Sequence, residues 1–148
     1  MFESPVTGRP WHLWVVALLA LPWNLMGCLD FFMTQTENLA YFESAGFTAE
    51  QLGFFTAYPF WADMLWGVAV FSPIAGVLCL LLKKRIAVEA YILGLITYVA
   101  AMIRQYGFTE FTELFPETTY PVFSVIIFIL ALGQLLYARA MKSRGVLT

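Results

Sequence analysis

Apolar and polar residues fall in long blocks along this chain, not in the short alternation of a half-buried strand. The first block runs from Trp11 to Met33, and its only full charge, Asp30, lies near the far end. At about 1.5 Å per helical residue such a block spans a hydrocarbon core roughly 30 Å thick. Comparable blocks follow at about 59–82, 86–103 and 120–137, separated by polar, aromatic stretches at 34–58 and 104–119. The pattern predicts an all-α polytopic membrane protein. It is one integral domain over 1–148, an antiparallel bundle of four transmembrane helices with short interfacial helices in the first outer loop.

Punctuation within the blocks refines this. Pro22 removes the helical partner of the Leu18 carbonyl, which predicts a kink. Asn24, in the same apolar run, is placed to bond a neighbouring helix or a ligand. Thr34-Gln35-Thr36-Glu37 and Thr48-Ala49-Glu50-Gln51 both match a helix capping box, with Gly46 as a stop between two short helices. Tyr41, Phe42, Phe47, Phe54, Phe55 and Tyr58 of that loop are expected to dip into lipid headgroups. Pro59 suits the start of span two, and Asp63 suits the positive end of its dipole. Ala69, Ser72, Gly76 and Cys79 share one face of that span, as Ala90, Gly94, Thr97 and Ala101 share one of span three. Small residues on one face let helices approach closely in lipid, so both stripes are expected to face helices.

Composition turns the pattern into a statement about solvent. Of 148 residues 61% are hydrophobic, 18% aromatic and 12% charged, too few charges to cover a water-soluble domain of this size. Of the lysines and arginines, Arg9, Lys83, Lys84, Arg85, Arg139, Lys142 and Arg144 fall on one side of a four-span topology, and Arg104 alone on the other. Lys and Arg mark the cytoplasmic side, so both termini are expected in the cytoplasm. Asp30, Glu37, Glu43, Glu50, Asp63, Glu110, Glu113 and Glu117 lie outside, with Glu3 and Glu89 inside. Three or five spans would scramble this separation. Glu89 is expected to reach Lys83, Lys84 or Arg85 by snorkelling. Cys28 and Cys79 fall near opposite membrane faces, too far apart for a disulfide. Arg9 followed by an apolar stretch and Leu25-Met26-Gly27-Cys28 imitates a lipoprotein cleavage signal. Met before the glycine, and the interruptions at Pro22 and Asn24, favour an uncleaved first span instead.

Candidate chemistry gathers at the outer ends of the spans. Asp30, Asp63 and Arg104 lie at similar depth, and an intramembrane charge tends to find a partner, so Arg104 is expected to pair with Asp30 or Asp63. Helical spacing puts Trp23, Met26, Gly27 and Asp30 on one face. A ligand pocket lined by Trp23, Asn24, Asp30, Asp63, Trp66 and Arg104 would open outward. Each charge sitting singly in the headgroup layer, or Asp63 serving only its helix start, explains the same residues. His12 is the only histidine, so a two-histidine haem site is excluded within one chain. There is no zinc-type Cys/His spacing, phosphate loop or G-x-S-x-G elbow, and no cofactor is expected. The basic residues are accounted for by topology, so nucleic acid is not an expected partner, though anionic lipid is.

Some stretches resemble a group of small bacterial inner-membrane proteins of similar length. They are Trp23-Asn24-Leu25-Met26-Gly27, Asp30, Met33-Thr34-Gln35-Thr36, Phe47-Thr48 with Glu50-Gln51, and Tyr58-Pro59 with Trp61, followed by a similar apolar–basic–apolar layout. Such proteins are often labelled "sugar transporter". The resemblance implies a bacterial inner membrane and four spans, and leans towards transport. Three functions stay open at this point: a solute-binding or transport-related protein, working as a homo-oligomer; a non-catalytic accessory subunit of a larger membrane complex; and a quinone- or lipid-acting enzyme. The third lacks an evident nucleophile, metal or cofactor site and ranks last, so the chain is read as not an enzyme.

Overall fold

In a computed structural model that describes residue 8 and residues 10–148, seven helices follow one another. They are α1 (Trp11–Gln35), α2 (Leu39–Ser44), α3 (Ala49–Thr56), α4 (Phe60–Leu81), α5 (Ile86–Gly107), α6 (Phe111–Leu114) and α7 (Thr119–Ser143). The charge assignments of Glu3 and Arg9 lie outside the described residues. Four of the helices, α1, α4, α5 and α7, run 22 to 25 residues, about 33–37 Å at helical rise, enough to cross a bilayer. Only 11 to 28% of their most apolar windows is buried inside the protein. Leu18, Leu19, Ile96 and Ile129 are each more than half exposed. Apolar side chains turned outward along four such helices have lipid as their solvent.

The four long helices are antiparallel neighbours in the order α1, α4, α5, α7. Along α1 and α4, Cys28 Sγ donates to the Val70 carbonyl at 3.3 Å, while Gln35 reaches Asp63 and Phe31 packs on Gly67. The α4–α5 seam is the tightest, and the two small-residue stripes make it so. A Cβ placed on Gly76 would lie 2.8 Å from the Tyr91 ring, and one on Gly94 would lie 3.0 Å from Pro73. At Gly76 and Gly94 the stripes therefore face the neighbouring helix, as their spacing predicts, while Ala69 and Ala101 border the space between the helices. Helices α1 and α7 meet differently, through long side chains: His12 Nδ1 to the Tyr137 hydroxyl at 2.6 Å, Asn24 to Gln134, and Trp23 against Phe123. Acidic residues cluster at one end of the bundle and basic residues at the other, called here the acidic and basic ends.

Element boundaries depart from the block edges where charge ends the apolar run before the helix ends. Helix α5 continues to Gly107, so Arg104 sits in its last turn, and α7 continues to Ser143 and carries Arg139 and Lys142. Helix α1 is continuous through Pro22, and α4 through Pro73. The capping box expected at Thr34 is not one. Thr34 is still helical and its hydroxyl donates to the Asp30 carbonyl, and α2 is capped by Asn38, which accepts from the Tyr41 amide. The second box forms as read, Thr48 and Gln51 capping reciprocally, with Gly46 in the left-handed region at φ 79° after α2. Glu89 pairs with Lys142 of α7 at 3.0 Å instead of with the 83–85 loop, because the longer α7 brings its lysine alongside α5.

The loop aromatics pack against one another. Rings from the first loop pack on rings from the second: Phe47 and Phe54 on Phe115, Phe54 on Phe111, with Phe111 and Phe115 stacked at 4.5 Å. The Gln51 amide ties the two loops by donating to the Leu114 carbonyl at 3.0 Å. Phe42, Phe111 and Phe115 are buried as a result. Ring-on-ring contact removes apolar surface from solvent, so the loops fold onto each other and roof the acidic end.

Candidate functional site

Beneath that roof, the side-chain-mediated gap between α1 and α7 leaves a cavity of about 450 Å³, within the roughly 300–1,000 Å³ of small-molecule sites. All four long helices contribute a face. On α1 these are Trp23, Asn24, Met26, Gly27 and Asp30, which include all four residues that helical spacing had put on one side. On α4 the wall is Trp66, Ala69 and Pro73. Helix α5 supplies Tyr91, Gly94 and Tyr98, with Arg104 and Gln105 at the acidic end, and α7 supplies Phe123, Ser124 and Gln134. Phe47, Phe55, Tyr58 and Phe111 line it from above, so aromatic rings border the end that the sequence reading left open.

Five of the six expected residues, Trp23, Asn24, Asp30, Trp66 and Arg104, share this wall, and Asp63 is not on it. Asp63 lies in the first turn of α4 and accepts from the Gln35 side chain at 3.0 Å, at the surface. Its role is at the helix start. The expected ion pair of Arg104 with Asp30 or Asp63 does not form: among the described residues the single ion pair is Lys142–Glu89. Asp30 instead accepts from the Tyr41 hydroxyl. The Arg104 guanidinium lies over the Tyr58 ring, 4.3 Å from its centroid, and 5.4 Å from that of Trp61. Each carboxylate takes a neutral donor close in sequence or on the adjacent helix, and the guanidinium takes ring faces, which hold a cation without desolvating an anion.

Two tyrosines outside the spans register this arrangement. The Tyr41 phenol is pushed up to about 12, mainly by burial and further by its bond to, and the charge of, Asp30. The Tyr58 phenol is likewise pushed up to about 12 by burial, against the lowering pull of Arg104. Both stay neutral donors across the physiological range.

Deeper in, Asn24 Nδ2 donates to Gln134 Oε1 at 2.8 Å, and Gln134 Nε2 faces Asn24 Oδ1 at 3.4 Å. Asn24 is buried, and this amide pair is the polar latch between α1 and α7. Nearer the roof, Tyr98 donates to the Ser124 carbonyl at 2.7 Å, and Tyr106 and Ser124 share a hydroxyl–hydroxyl bond at 2.9 Å. No buried side-chain nitrogen or oxygen lacks a partner among the described residues. The sequence reading did not single out Gln134, Tyr98 or Ser124 for the site. Gln134 had a legible signal, being the one amide in the last apolar run.

The fold and this lining define the class: a small multi-pass membrane protein of four spans enclosing an aromatic, largely apolar cavity. No family model matches the chain, and no curated protein or solved structure does.

Proposed function

We propose that this is a solute-binding, transport-related protein of a bacterial inner membrane, non-catalytic, with both termini in the cytoplasm. The observation that carries the reading is the cavity between the four long helices, with Trp23, Asn24, Asp30, Trp66 and Arg104 on its wall. A concave, mostly apolar volume with a few polar groups is the usual form of a small-molecule site. The separation of basic from acidic residues supports the orientation through the positive-inside rule. The resemblance to small inner-membrane proteins labelled as transporters points the same way. Four helices surround little volume, so transport would proceed with more than one copy.

Trp23 and Trp66 make the site its own reporter. Titrating purified protein in phosphatidylcholine nanodiscs with apolar and amphiphilic solutes is expected to give a saturable change in tryptophan fluorescence. Ala69→Trp, which fills the cavity from α4, is expected to weaken it about tenfold or more, the scale of losing a fitted apolar site. Saturable binding that ignores the filling substitution would place the solute elsewhere and remove the basis for the proposal.

An accessory subunit of a membrane complex is the second reading. A lateral groove between α5 and α7, lined by Val99, Ile103, Val125 and Phe128, favours it as a seat for a partner helix. A reproducible heterologous partner in mild-detergent purification is its test.

A further inference from the structure

Resting on the solute-binding reading, the geometry points to a particular class of occupant: a single-chain amphiphile with an anionic, oxygen-bearing head. The head binds the Arg104 guanidinium beneath the aromatic roof, and the apolar chain runs down the cavity towards the Asn24–Gln134 latch.

Three observations converge on it. First, Arg104 is a fixed cation on the cavity wall with no carboxylate within ion-pair reach among the described residues. The Tyr58 and Trp61 rings lie 4.3 and 5.4 Å from the guanidinium carbon, and a guanidinium without a carboxylate partner suits an anion. Second, the other charge on the wall is already engaged, Asp30 by the Tyr41 hydroxyl. A cationic head would lie in the field of Arg104. Third, the cavity extends in the right direction. It reaches from Arg104 to Gly94 and Tyr91 along α5, about 15–20 Å at helical rise. The walls between are mostly apolar, the amides of Asn24 and Gln134 satisfy each other, and Tyr98 is bonded to the Ser124 carbonyl. A chain of methylenes fits such walls.

The same anionic oxygens could come from a free fatty acid or from the phosphate of a membrane phospholipid. The occupant assigned is the free acid, and discs containing phosphatidylglycerol decide between the two sources.

The test measures binding of dodecanoate, dodecanol and dodecylamine to the protein in phosphatidylcholine nanodiscs, against empty discs. Wild type is compared with Arg104→Gln, Arg104→Lys and Ala69→Trp. Dodecanoate is expected to bind tightest. Arg104→Gln should weaken it about tenfold or more, the scale of one charge-assisted hydrogen bond, with dodecanol unaffected, and Arg104→Lys should restore part of the loss. Dodecylamine binding tightest, or equal binding of dodecanoate and dodecanol that ignores Arg104→Gln, would overturn the anionic assignment while leaving a solute site intact. If no probe is sensitive to Ala69→Trp, the solute-binding reading itself fails. If Arg104→Gln does not fold, the wild-type order of the three probes and the Arg104→Lys variant still decide. Discs containing phosphatidylglycerol supply the last arm. Loss of dodecanoate binding there, restored by returning to phosphatidylcholine, would give the site to phospholipid and overturn the free-acid assignment.

Discussion

At the scale of single residues, most of what matters is whether a side chain has room and a partner. Gly76 has no room: a Cβ would meet the Tyr91 ring at 2.8 Å. Gly76→Val is expected to cost about 1–3 kcal/mol through overpacking, read as lowered thermal stability in detergent, while the same change at Gly133, which has nothing within 4 Å, should cost far less. Asn24 and Gln134 partner each other across α1 and α7. A double-mutant cycle with Asn24→Ala and Gln134→Ala is expected to give a coupling of about 0.6 kcal/mol and at most ~1.7, the range for hydrogen bonds between membrane helices. Zero coupling would mean that the latch is incidental. Tyr41 carries a pH signature. Its folded-state value stands at about 12 against 10.0 in the free side chain. The stability it contributes is therefore complete below pH 10 and is lost as pH rises through about 12. Tyrosinate absorbance should show this late step, Tyr41→Phe should delete it, and Asp30→Asn should move it downward by removing one of its causes.

At the scale of elements, helix ends decide more than helix middles. Helix α7 ends in a Schellman motif: Gly145 at φ 70° donates to the Lys142 carbonyl, and Val146 donates to that of Met141. This turn sends Val146 and Leu147 back into the core, where both are buried, and Thr148 pairs by its backbone with Lys83 and Arg85. A charged tail is thereby a packed strap across the basic end. Leu147→Ala is expected to cost roughly 2–5 kcal/mol, the range for a core leucine, whereas breaking the exposed Lys142–Glu89 pair with Lys142→Ala should cost far less, because solvent screens it. Unfolding of both variants in detergent checks the contrast. The two loops at the acidic end behave as one element, because Phe47, Phe54, Phe111 and Phe115 form a shared apolar patch that neither loop has alone.

At the scale of the molecule, close packing on one side leaves space on the other. Glycines and Pro73 bring α4 and α5 together, while Trp23, Asn24, Phe123 and Gln134 hold α1 and α7 apart. The cavity is the result of that asymmetry. Orientation is testable at the same scale. With Cys28 and Cys79 replaced by serine, a cysteine probe at Glu113 is expected to react from outside intact cells and one at Lys84 to stay protected, and the reverse pattern would invert the proposed topology.

The chain's own sequence settled the four long helices, their order through the membrane-sized apolar blocks, and the segregation of charge. These follow from local quantities, block length and residue type, that need no knowledge of neighbours. It also put Trp23, Met26, Gly27 and Asp30 on one face, since helical spacing is local too. Tertiary structure decided the rest. Which partner Arg104 takes, why Asp63 stays off the wall, that Glu89 meets Lys142, and that rings of two loops pack together above a cavity all depend on distances between segments far apart in the chain. Those distances are set by the competition of ring stacking, hydrogen bonds and helix packing for the same side chains, and no single segment holds the outcome.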